Sequence, residues 1–183
     1  MKLATIRTTE GTRAVRVEGD EFVDLGFTDV GALLADENWQ TLALQDGPRS
    51  SAENADFATL IPKPGKILCQ GLNYRTHLAE MGRDLPQYPT LFAKYPEALI
   101  GANDEIVLPP ESDKVDWEAE LAIIIGKRVR RAKGAEAENA IAGFAAHDAA
   151  LLSKRQGAEV TLTSIFPIEK MQASKHEVEH ALA

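Results

Sequence analysis

Val115-Asp116-Trp117-Glu118-Ala119-Glu120-Leu121-Ala122-Ile123-Ile124-Ile125-Gly126 is the stretch on which the reading of this chain turns. Its apolar, β-branched run ending at glycine is a strand pattern. Alternate side chains of a strand point the same way, so Glu118 and Glu120 share a face that continues into Ala122 and Ile124. Carboxylates at the edge of an apolar face need a partner, because burying an unpaired charge is costly. A hard divalent ion ligated by oxygen would resolve their repulsion. The same spacing also suits a polar strand end with both carboxylates in water, and the residues alone leave both readings open.

Outward from this strand, the chain divides by its breaks. Leu3 to Arg7, Ala14 to Val17 and Phe22 to Leu25 are short strand candidates in a meander, and Val30 to Ala35 and Trp39 to Leu44 have apolar residues at helical spacing. Gly47 to Ser51 reads as a break, and Pro62-Lys63-Pro64-Gly65 as a stiffer one. The boundary falls there, giving a small N-terminal module over 1–62. Lys66 to Gln70 then reads as a strand, a helix starts at about Tyr74 and stops at Gly82, and Thr90 to Lys94 is a strand candidate. Leu99 to Pro110 reads as two extended pieces around a turn, Ala135 to Ile141 as a helix, and Gly143 to Ala146 as the next strand. Leu151 to Gly157 has no clear period, and Ile168 to Ala183 suits an amphipathic helix or a frayed end.

The totals exclude some partners. Among 183 residues the net charge is -8, which argues against nucleic acid. No Lys and Arg run is read as a membrane-surface or polyanion patch, and no segment is long and apolar enough to span a bilayer. The single cysteine, Cys69, excludes an internal disulfide and suits a reducing cytoplasm. Its apolar setting suits a buried, inert thiol better than a nucleophile. The N-terminus has no long apolar core of the signal-peptide kind.

His77 and Glu80 sit three apart on the expected helix and share a face. A carboxylate beside an imidazole raises its basicity, so the pair suits a general base or a water activator; a surface contact on an amphipathic helix fits the spacing as well. Asp148 is a candidate third oxygen ligand from the end of the next strand, or a loop aspartate. Tyr74 and Lys94 could meet an anionic substrate, although lone Lys and Tyr residues are more often surface or edge groups. Phosphate-loop, nucleophile-elbow and zinc spacings are all missing.

Four ordered segments resemble the fumarylacetoacetate hydrolase family. They are Lys66 to Gly82 (KILCQGLNYRTHLAEMG), Pro89 to Lys94 (PTLFAK), Ile106 to Pro110 (IVLPP) and Val115 to Ala122 (VDWEAELA). The resemblance implies an α+β, β-rich chain. In it the small N-terminal strand and helix module precedes a partial mixed β-roll over 63–148, with a divergent tail over 149–183. It implies a divalent ion, Mg2+ first and Mn2+ or Ca2+ as alternatives, held by Glu118 and Glu120. It places the water-activating or proton-moving pair on His77 and Glu80. It implies action on small carboxylic acids of the acylpyruvate, diketo or 2-hydroxymuconate type, by C–C hydrolysis, decarboxylation or isomerisation, in a cytoplasmic homodimer if the fold is intact.

The motifs stop after Gly143-Phe144. The family continues to an Asn-Asp pair, whose Asp is the third ligand; here the text is Ala145-Ala146-His147-Asp148, with Asp148 one residue early. The Arg-Asp step and the later Gly-Lys segment have no counterpart. The alternative expectation is therefore a truncated or frameshifted, inactive fragment, with an open sheet edge and exposed apolar faces prone to association.

Overall fold

Four consecutive buried residues, Leu3 to Ile6, open the structure inside strand β1 (Lys2–Thr8). A strand buried on both faces divides its side chains between two clusters. Leu3 enters a core with Ala14, Val30, Leu33, Leu34 and Leu60, while Ala4 and Ile6 enter a second one with Val15 and Phe22. β2 (Gly11–Glu18), β3 (Glu21–Asp24) and β4 (Arg49–Ser51) complete an antiparallel sheet in the order β1-β2-β3-β4. This computed structural model describes residues 1–112, 114–152 and 156–161, with backbone alone at 116–119 and from 146 onward.

Thr5 shares the inner face with Leu3 and carries the one buried hydroxyl that must be satisfied there. It donates to the Leu60 carbonyl (2.6 Å) and accepts from the Val30 amide (3.0 Å). It thus ties β1 to the start of helix α1 (Val30–Leu34), whose next amide pair is served by Asp29 capping Ala32 N–H. Arg16, nearly buried, donates to the carbonyls of Ala43 and Gln45 at the end of helix α2 (Trp39–Leu42). These are orphan acceptors of a helix C-terminus, and a cation suits them.

The remainder holds two further sheets. β5 (Ile67–Gly71) and β6 (Thr90–Lys94) form an antiparallel ribbon, joined through helix α3 (Arg75–Glu80). β7 (Leu99–Ile100), β8 (Val115–Ile125), β9 (Ile141–Leu152) and β10 (Gln156–Thr161) form the other, in the order β7-β10-β9-β8. Among the described strand pairs, only β10–β7 is parallel. The chain is α+β and β-rich, as expected.

Several boundaries differ from the sequence reading. Residues 49–51 pair with β3 as β4 rather than forming a break, because β3 offers an open ladder edge that needs no side-chain pattern. Helix α4 is only Ala135–Glu138; Ile141, expected to be helical, is instead drawn into the β8 ladder opposite Ile125. β9 runs on through Leu152 and β10 follows where no period is visible. The second extended piece, Ile106 to Pro110, is not a strand. The expected tail helix at 168–183 lies outside the described residues.

The N-terminal sheet and the β8–β9 hairpin share one core: Ala122, Ile124 and Ala142 pack on the Leu3 cluster, and Ala145 is part of it. A charged clamp ties β1 to the loop after β7. Arg7 donates to Asp56 (2.9 Å) and, through both terminal nitrogens, to Asp104 (2.8 and 2.6 Å). Asp104 also accepts from the Gly101 amide (2.6 Å). Gly101 has no room for a Cβ, which would run into the Phe57 carbonyl and the Arg7 guanidinium. Arg7, with the Gly101 amide behind it, holds the Asp104 carboxyl below its ordinary value.

A depressed carboxylate stabilises the fold above its ordinary titration and loses that contribution as pH falls through the lowered value. Asp104→Ala should therefore cost about 1–2 kcal/mol at neutral pH, discounted for partial exposure. The gap from wild type in urea midpoint should close as pH drops below the ordinary 3.8 of an aspartate.

Candidate functional site

Among the described strands, β8 lies at the edge of its sheet, paired on one side with β9. Positions 118, 120, 122 and 124 share one face by strand alternation, and Ala122 and Ile124 seat on the core as the sequence suggested. Glu120 is half-buried at the border of that contact. The side chain of Glu118 lies outside the described set. Two carboxylate positions two apart on one strand face can serve a single hard cation. Among the described residues, no three His, Cys, Asp or Glu side chains gather at metal-binding distance.

The ladder opposes Glu118 to Ala149, Ala119 to Asp148 and Glu120 to His147. Residues directly opposite in an antiparallel pair belong to one face. The Asp148 position is therefore one step out of phase with the glutamates, matching the one-residue shortfall noted in the sequence. A bulge at Ala142 sets this phase, since the register changes between Ile124↔Gly143 and Ile125↔Ile141.

The turn between β5 and α3 faces the outer edge of β8. Leu72 takes φ 59°, a left-handed conformation that is costly for a bulky residue. It reverses the chain so that Tyr74 precedes α3, and buried Leu78 anchors the helix. The Leu121 amide donates to the Tyr74 hydroxyl over a long 3.4 Å. An edge strand has unpaired amides to offer, and this one belongs to the residue next to Glu120.

His77 and Glu80 both lie on α3, with Nδ1 to Oε2 at 3.8 Å and both side chains exposed (54 and 77%). That separation is a contact, not a hydrogen bond. The structure thus brings α3, bearing the pair, to the carboxylate strand through Tyr74. Lys94 sits opposite Ile67 at the other end of the β5–β6 ribbon from Gly71, and its ammonium lies 5.8 Å from the Phe92 ring centroid. Sequence reasoning gave Tyr74 a substrate role and missed its service to a backbone amide, which no local pattern announces.

The family model for the C-terminal domain of fumarylacetoacetate (FAA) hydrolase matches residues 66–162. The match thus extends past Gly143, where the recognisable motifs stop. The chain belongs to the fumarylacetoacetate hydrolase family. It is similar to the mitochondrial oxaloacetate tautomerase FAHD2A of Bos taurus, 43% identical over 102 residues that make up 55% of this chain and 32% of that protein. It spans about a third of the length of such curated relatives. A Mycobacterium smegmatis crystal structure shares the fold, with TM-score 0.76 and 22% identity over 94% of this chain and 68% of that one. So does a maleylpyruvate hydrolase of Sphingobium sp. SYK-6, solved with manganese(II) and pyruvate (TM-score 0.72, 24% identity, 94% and 69% covered).

Tyr74→Phe should remove the acceptor of the Leu121 amide and keep the ring. It should cost about 0.5–1.5 kcal/mol. Hydrogen exchange at Leu121 should quicken while exchange in β1 stays unchanged.

Proposed function

We propose that this chain carries the metal-binding half of an enzyme site for small 2-oxo or enol acids of the acylpyruvate, diketo or hydroxymuconate type. The observation that carries the reading is the Leu121 amide to Tyr74 hydroxyl link, which docks the His77 and Glu80 helix beside Glu120. Glu118 and Glu120 would hold the divalent ion, Mg2+ or Mn2+. The relative solved with manganese and pyruvate supports that choice. When bound, such an ion supplies Lewis-acid polarisation of a carboxylate and its adjacent oxygen. His77, backed by Glu80, is the proposed group that takes or returns a proton at the substrate carbon or at water. Exposure leaves its imidazole free to approach a substrate. Tyr74 positions α3, and Lys94 is the proposed partner of an anionic group of the substrate. Tautomerisation and C–C hydrolysis both begin with such a proton movement, and relatives named for each activity agree with it. The lone half-buried Cys69 keeps a reducing cytoplasm as the proposed location, and a homodimer remains the proposed assembly.

Asp148 is the proposed third ligand only after one added residue brings it into phase. Calorimetry with Mn2+ tests both parts. Glu118→Gln or Glu120→Gln should weaken binding by roughly tenfold or more, and His77→Ala should leave it unchanged while lowering any oxaloacetate or acylpyruvate turnover by about 10²–10⁴. Insertion of one valine between Ala145 and Ala146 should move Asp148 to the position opposite Glu118 and tighten binding. Unchanged affinity in both glutamate variants would remove the metal assignment.

A second reading, association without turnover, has its own observation. Leu68 and Leu91 lie on one face of the β5–β6 ribbon and are 67 and 61% exposed. Contiguous exposed apolar surface favours self-association. Sedimentation should then show concentration-dependent oligomers that Leu68→Lys with Leu91→Lys disperses.

A further inference from the structure

The net charge of -8 hides a local excess of the opposite sign. Lys127-Arg128-Val129-Arg130-Arg131-Ala132-Lys133 follows the end of β8 and places five cations in seven residues. The segment is irregular and exposed, and it turns at Arg131, whose φ of 58° is left-handed. Arg128 and Arg130 line an open cleft of about 620 Å³ together with Val129 and Lys66. Lys66 immediately precedes β5, so two segments distant in sequence line the same cleft. Among the described residues none of these three cations has a carboxylate partner. The acidic residues that follow in sequence, Glu136 and Glu138, form no ion pair with a described cation.

Three like charges lining one cleft, with no ion-pair partner among the described residues, repel one another, and an anion between them offsets that repulsion. Two guanidinium forks and an ammonium match phosphate oxygens, with the forks capable of bidentate contacts. The cleft is also remote from the carboxylate strand's functional end. Glu120 and Ile125 are five strand positions apart, roughly 16 Å at about 3.3 Å per residue, and Arg128 lies beyond Ile125. A substrate at the glutamates does not explain the cations.

We infer that the Lys66, Arg128 and Arg130 cleft binds an oligophosphate group of a small molecule, independently of the carboxylate pair. The full chain is titrated calorimetrically with sodium tripolyphosphate, inorganic phosphate and citrate at low ionic strength. Tripolyphosphate should bind once per chain, roughly tenfold more tightly than inorganic phosphate, and more tightly than citrate. Arg128→Gln with Arg130→Gln should weaken it by roughly tenfold or more, and Lys66→Gln alone should weaken it measurably. Arg83→Gln, which removes one charge as Lys66→Gln does but outside the cleft lining, should not. Circular dichroism checks that each variant folds, and Lys66→Gln carries the test should the double variant unfold. Absence of saturable tripolyphosphate binding, equal affinity for citrate, or equal weakening by Arg83→Gln would each overturn the inference.

Discussion

One face of β8 has to satisfy two demands at once. Ala122 and Ile124 close the core that the N-terminal sheet opens with Leu3, Val30 and Leu33. Glu120, two positions earlier on the same face, must stay wet enough to remain charged. Strand alternation admits no independent adjustment of the two, since turning the glutamates outward would turn Ala122 and Ile124 outward as well. The apolar end therefore acts as an anchor, and the carboxylate end projects from it at a fixed phase. The Arg7 clamp to Asp56 and Asp104 ties β1 to the loop after β7 with charge rather than area.

The edge position of β8 has a related consequence. A strand with one unpaired side exposes amides, which ordinarily invite another chain. Tyr74 occupies one of these amides, and in doing so sets α3 against the strand. Protection of an edge and placement of a candidate proton carrier are here the same contact. It is a long hydrogen bond, so the hold of α3 rests as much on Leu78, which is almost fully buried.

Much of this was legible in the residues. β8 shows itself because its period of two continues into an unbroken apolar run. β1, β2 and β3 show themselves because turn residues separate short β-branched stretches. β4 and β10 carry no such signature: their pairing is specified by the neighbouring ladder edge, which is a tertiary fact. Ile141 has helical neighbours in sequence but a strand partner in space. The phase of Asp148 was countable from Gly143, and the ladder register repeats that count. The basic cleft escaped notice because whole-chain charge averages away a seven-residue segment, and because Lys66 joins it only through folding. Tyr74 as a backbone acceptor had no pattern to find.

The bulge at Ala142 faces Gly126, where an added Cβ would come within 2.6 Å of the alanine methyl. A side chain at position 126 would therefore collide with the bulged alanine as it stands. Positions 126 and 142 should thus change together or not at all in related chains. Because the bulge sets the phase of everything beyond it on β9, this small steric bargain determines which residues of that strand natural variation can offer to the glutamates.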